Sequence, residues 1–264
     1  MSRSPFFAEP AASTAMPDTA AYALRLGDDA LVLAQRLAEW VTRAPELEED
    51  MALANISLDL LGQARSLLGY VGELEGAGRD EDALAYLRDD RAYTNVQLVE
   101  LPRGDFGRTI ARQLLFSTHQ HLLYERLAHS EDETLAGIAG KAVKEVAYHR
   151  DHATQWTLRL GDGTDESHTR MAAGLADVWP YADELFAADD LDRQVASAGV
   201  GVDPSTLREV WDAAVDDVLA RASMERPDIA AVPGGGRYGL HTEYLGHLLA
   251  EMQSLHRAHP GASW

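Results

Sequence analysis

One stretch constrains this chain more than any other: residues 46–74, ELEEDMALANISLDLLGQARSLLGYVGEL. Its apolar residues fall on two stripes at helical spacing. Leu47, Met51, Ala54, Leu58, Leu61 and Leu68 form one, and Leu53, Ile56, Leu60, Ala64, Leu67, Val71 and Leu74 form the other. Two stripes predict one long helix, almost wholly buried and packed on both flanks. Between them runs a third line, Asn55, Asp59, Gly62, Gln63 and Ser66, which is polar yet carries a single charge. A solvated face is normally richer in Lys and Glu, so this line reads as an interior polar seam. In a helical bundle such a seam is where a metal site would sit.

The rest of the chain keeps the helical period and has no strand-like alternation, which predicts an all-α fold. A first helix is expected over 18–43, with Asp18 as N-cap, Pro45 as the stop, and Leu24, Leu31, Leu37 and Val41 toward the core. Asp28 lies on that same side, so it is either buried and paired or at an edge. The short Ala44-Pro45 turn makes this helix an antiparallel hairpin with 46–74. A second hairpin is expected from 105–129 and 131–160, the former turning Phe106, Ile110, Leu114, Ser117, His121, Tyr124 and Ala128 inward. The latter turns in Leu135, Ile138, Ala142, Val146, His149, Ala153, Trp156 and Leu160. Between the hairpins lie an acidic helix, 80–89, and an irregular crossing through Leu101-Pro-Arg-Gly104. Long crossings of this kind are typical of ferritin-like bundles. Further helices are expected over 165–186, near Asp190, over 204–221 with Asp203 as cap, and over 241–259. Residues 20–264 read as one domain and residues 1–19 as a disordered extension.

Charge and composition exclude whole classes of function. Forty-three acids against 23 bases give a formal charge of -20, which argues against nucleic acid and anionic membranes as partners. With no Cys, disulfides, thiolate metal sites and cysteine nucleophiles are excluded. No apolar run is long enough to span a membrane. The first 17 residues are rich in Ala, Ser and Pro, with one base at Arg3, and do not read as a signal peptide. Met16 is a candidate start, and a cytoplasmic location is expected.

A di-iron or di-manganese bundle takes a lone Glu from each of two helices and Glu-x-x-His from each of the other two. Neither motif is intact here. Asp59 is followed at the third position by Gly62, Leu60 by Gln63, and Glu145 by Tyr148, with His149 one position further on. The helix over 105–129 offers Ser117 and His121 where a carboxylate is wanted. Asp28, Asp59, Glu145 and His149 are too few and too uneven for two metals. Three readings stay open: a native di-metal site, a single metal held by Glu145, His149 and His152, or a core hydrogen-bond network. In the last, Gln63, Arg65, Tyr148 and His149 pair the buried acids. In the final helix Glu243, His247 and Glu251 recur every four residues near His241, a spacing that suits a metal but equally a surface pair. No His-Glu-x-x-His pattern and no strand-borne phosphate loop occur, and Ser57, Ser117 and Ser130 lack a nucleophile signature.

Several ordered blocks carry a resemblance: Tyr22-Ala-Leu-Arg-Leu-Gly-Asp28, Gln35-Arg-Leu-Ala-Glu-Trp40, Ala44-Pro-Glu-Leu-Glu48 and Leu58-Asp-Leu-Leu-Gly-Gln-Ala-Arg65. To these add Gly161-Asp-Gly-Thr-Asp165, Leu240-His-Thr-Glu243, Leu248-Leu-Ala-Glu-Met-Gln253 and Pro260-Gly-Ala-Ser-Trp264. Over residues 20–264 the chain resembles the non-catalytic, PaaC-type subunit of the bacterial phenylacetyl-CoA ring-1,2-epoxidase. The resemblance implies a ferritin-like fold and a homologous catalytic partner that holds a di-iron centre. That partner would epoxidise phenylacetyl-CoA with O2 and electrons from NADPH through a reductase. The segment 40–64 is similar to the matching segment of the catalytic subunit, whose ligand Glu and His correspond to Leu60 and Gln63 here. The implied outcome is a structural subunit without catalytic, cofactor or metal residues, iron being confined to the partner. Asp28, Asp59, Gln63, Glu145, Tyr148 and His149 would remain as a degenerate polar seam. A hetero-oligomer is expected, with a homodimer as the form in isolation, and Trp40, Trp211 and Trp264 are candidate anchors. The alternative is a metal-binding, ferritin-like oxygenase in its own right.

Overall fold

A computed structural model describes residues 16–262. Among them the fold is an all-α, ferritin-like bundle built on two antiparallel hairpins. The first pairs α1 (Asp18–Ala38) with α2 (Leu47–Glu75). The second pairs α5 (Phe106–Leu127) with α6 (Glu133–Gly161), and α2 packs against α6. Two short helices, α3 (Glu81–Tyr86) and α4 (Gln97–Glu100), lie on the crossing between the hairpins. The chain continues through α7 (Asp165–Val178), α8 (Asp190–Ser197), α9 (Arg208–Arg221) and α10 (Glu243–Ala258). Side-chain caps start the second hairpin, where Asp105 accepts from the Arg108 N–H and Asp132 from those of Thr134 and Leu135. The crossing of α5 with α7 is close enough to demand glycine. A Cβ at Gly174 would stand 2.7 Å from the Arg108 Cα, and one at Gly107 3.1 Å from the Arg170 carbonyl carbon.

Helix α1 is deeply buried, with sixteen of its 21 residues buried, against nine of the 29 of α2. Its buried charged residues are each tied to a distant segment. Asp28 accepts from Arg88, from the Thr94 N–H at 2.8 Å and from the Thr94 hydroxyl at 3.0 Å. Asp29 accepts from the Val96 N–H at 2.8 Å and from Arg237 at 2.8 and 3.0 Å. Arg25 donates to Asp189 and Asp192, and Arg36 to the Glu100 carbonyl. These bonds fasten the crossing and the C-terminal third onto the bundle. Breaking one such buried pair from one side costs about 3–5 kcal/mol.

Four expectations are corrected. The first helix ends at Ala38 rather than at 43, because Thr42 turns to a φ of 68° and gives its N–H to the Asp50 carboxylate at 2.8 Å. That turn carries Val41 out to solvent. Pro17, not Asp18, occupies the cap position, and Asp18 is the first helical residue. Of the extension expected over 1–19, residues 1–15 lie outside the described residues, while Met16 already packs on the core and Asp18 opens α1. Trp264 also lies outside them. The helix over 165–186 stops at Val178 and gives way to two 3-10 turns where Pro180 enters.

The largest correction concerns α2. Leu53, Ile56, Leu60, Ala64, Leu67 and Val71 are buried as expected. Of the other stripe, however, Leu47 is 71%, Met51 60%, Leu58 64% and Leu61 40% exposed, and only Leu68 is fully enclosed. The supposed interior seam is also mostly solvated, since Asn55, Gly62 and Ser66 are exposed and Asp59 is half-buried. Only Gln63 of that line is buried. Apolar spacing reports that a face avoids water, not which chain covers it.

Candidate functional site

The interface of α2 with α6 is where the polar residues meet. At one end the His152 Nε2 lies 2.7 Å from a Glu49 oxygen. One turn along, the His149 Nε2 lies 3.1 Å from an Asp59 oxygen. Next, the Gln63 amide donates to Glu145 at 3.0 Å, and the Gln120 amide on α5 donates to the Gln63 oxygen at 3.2 Å. Burial pushes the His149 imidazole below its ordinary value, and Asp59 opposes that shift without reversing it. A neutral imidazole with its proton on Nε2 therefore donates to Asp59 at neutral pH. Tyr148 is half-exposed beside the two imidazoles, its ring centre 6.4 Å from that of His149 and 6.2 Å from that of His152. Burial against neighbouring acids raises its hydroxyl.

Gln63, Glu145, Asp59 and His149 are thus brought onto one seam, but Asp28 is not part of it. Both Asp28 oxygens are taken by Arg88 and Thr94. Arg65 does not reach the seam either, being largely exposed and paired with Glu81 at 3.0 Å. Ser117 donates its hydroxyl to the Gln113 carbonyl. His121 faces Arg150 at 3.2 Å and Glu125 at 3.4 Å, and burial together with Arg150 lowers its basicity. On α10, Glu243, His247 and Glu251 point to solvent, while His241 precedes the helix and bonds Glu100 and the Tyr93 carbonyl.

Hard cations need ionised oxygen ligands gathered around one point. Leu60 is fully buried and apolar, and the Gln63 amide is neutral and bonded on both of its sides. Among the described residues no group of three or more His, Asp or Glu side chains is placed to hold a metal ion. These residues do not fit a di-metal centre. What they do is hold α2 and α6 in register through neutral amides and two imidazole–carboxylate contacts.

Two members of this network escaped the sequence. Gln120 stands three residues after Ser117 and four before Tyr124, on a face already read as inward, so its position was legible even though its partner was not. Glu49 lies in the first turn of α2, where the helix dipole favours an acid, and is buried against His152.

Residues 8–264 match the family described as phenylacetic acid catabolic protein. The chain belongs to that family. Within it, a similar protein is one of the subunits of the 1,2-phenylacetyl-CoA epoxidase of Escherichia coli (strain K12), which is 49% identical over 249 residues. That match covers 94% of this chain and 100% of the relative. As a family member the chain has a role in phenylacetate catabolism. No helix among its described residues is long and apolar enough to cross a membrane.

Proposed function

We propose that this family member is the structural, non-catalytic subunit of a cytoplasmic phenylacetyl-CoA 1,2-epoxidase. The observation that carries the reading is the content of the α2 ligand positions. Leu60 supplies no donor, and the Gln63 amide is taken up by Glu145 and Gln120. A bundle filled in this way contributes rigidity rather than oxygen chemistry. The name of the Escherichia coli relative supports membership of an epoxidase assembly. The partner is the homologous catalytic subunit, which would carry the di-iron centre and receive electrons from NADPH through a reductase. Residues 20–264 act as one ferritin-like domain whose uncovered α2 face is the surface offered to another chain. Mixing the purified protein with that catalytic subunit is expected to give a stable heteromer in size exclusion with light scattering. Separate elution at micromolar concentration would contradict the reading.

A further inference from the structure

His119 on α5 lies away from the α2–α6 seam and takes no part in it. Its side chain is buried, and its Nε2 has no hydrogen-bond partner among the described residues. Burial, reinforced by the Arg237 guanidinium, pushes the imidazole down to about 3, so the ring is neutral at neutral pH. The one proton of that neutral ring is given to the Leu185 backbone carbonyl, a bond that favours the ring N–H. Nε2 is therefore a bare lone pair, an acceptor that needs a donor. A native fold rarely leaves such a group unmet, because its desolvation is then uncompensated.

The His119 ring lines a cavity of about 20 Å³, shared with Tyr22 and Arg25 of α1, Asp192 of α8, Glu184 and Arg237. One water needs about 10–15 Å³ and two to four polar partners, so the space suits a single heavy atom. The charges around it are already matched. Arg25 bonds Asp192 at 3.0 Å, Arg237 bonds Asp29 at 2.8 Å, and the Glu184 carboxylate takes the N–H groups of Gln97, Gly235 and Gly236. An added cation would face Arg25 and Arg237. An added anion would face Asp192, Glu184 and the Nε2 lone pair. What fits is neutral, one heavy atom in size, and able to donate a proton. Tyr22 offers it a second bond: its hydroxyl accepts the Val202 N–H at 3.2 Å, and burial keeps it protonated, so its own proton is there to be given.

We propose that this cavity is a binding site for one ordered water, which donates to the His119 Nε2 and accepts from the Tyr22 hydroxyl. The water ties α5 to α1 where Arg25 and Arg237 fasten α8 and the loop before α10 onto the bundle. The site does not depend on the epoxidase reading, because every residue in it belongs to this chain.

A crystal structure of the full chain, at a resolution that orders solvent, is expected to show one spherical peak within about 3.2 Å of both the His119 Nε2 and the Tyr22 hydroxyl. In solution, magnetic relaxation dispersion of deuterium and oxygen-17 counts waters held for longer than the protein takes to tumble. His119→Leu is expected to lose one such water. His119→Gln, whose amide oxygen still accepts, is expected to keep it. Where the leucine variant fails to fold, the density in the unsubstituted protein decides alone. A cavity without density overturns the proposal, as does a peak out of reach of Nε2 or one too electron-rich for an oxygen atom. So does a folded His119→Leu protein that keeps the full count, or a His119→Gln protein that loses the same water.

Discussion

The two longest helices, α2 and α6, each have 29 residues and pack against each other, yet they face solvent differently. Outward from α6 stand Glu133, Lys141, Lys144, Asp151, Gln155 and Arg159, a charged surface suited to water. Outward from α2 stand Leu47, Met51, Leu58 and Leu61. The inward faces meet in one seam of amides, imidazoles and carboxylates. The difference teaches that the two helices have different neighbours rather than different folds. One face is finished within the chain, while the other is apolar enough to require a cover that the chain itself does not provide.

The largest expected effect is inside. Leu60→Glu would put a carboxylate at a fully buried position with no cation beside it and should destabilise the fold by about 3–5 kcal/mol. Urea unfolding measures this, and a loss below about 1 kcal/mol would mean that the seam can still accept a ligand-like acid. A smaller effect comes from acid. Burial lowers the His119 imidazole on α5 to about 3, so the folded state refuses a proton that the unfolded chain takes up below about 6.5. Stability should therefore fall as the pH drops below about 6.5, with this residue contributing about 2 kcal/mol of loss at pH 5. His119→Gln should flatten that part of the profile. His241, raised by Glu100, works in the opposite sense: its contribution is present below about 6.5 and is lost as the pH rises through its folded value.

The smallest effects on folding are expected outside, and they sharpen the comparison most. Lys144→Ala on α6 and Leu58→Arg on α2 should each change the unfolding free energy of the monomer by less than about 0.5 kcal/mol. Association should respond only to Leu58→Arg. If Leu58→Arg unfolds the isolated chain, the outer stripe of α2 is core after all, and the contrast between the two helices fails.

Much of the bundle was legible because its cues are local. The cap at Asp203, the hairpin turns and the crossing through Leu101-Pro-Arg-Gly104 all follow from side chains within a few residues. What was not legible depends on distant partners. The early end of α1 is set by Asp50, eight residues beyond Thr42, and the fate of Asp28 by Arg88, sixty residues away. The polar line on α2 read as interior because it lacked Lys and Glu, whereas it borders a face that avoids charge for another reason. Within the seam, Asp59, Gln63, Glu145 and His149 were identified from spacing, while their pairing and the share taken by Gln120 and Glu49 needed three dimensions.

The central claim is that this bundle is built to support rather than to carry oxygen chemistry. Elemental analysis of the protein purified alone from iron-supplemented cells tests it most directly. The account predicts less than about 0.1 iron per chain, because Leu60 and Gln63 offer no anionic ligand where a di-iron bundle needs one. Close to two irons per chain would contradict it and make this chain an oxygenase in its own right.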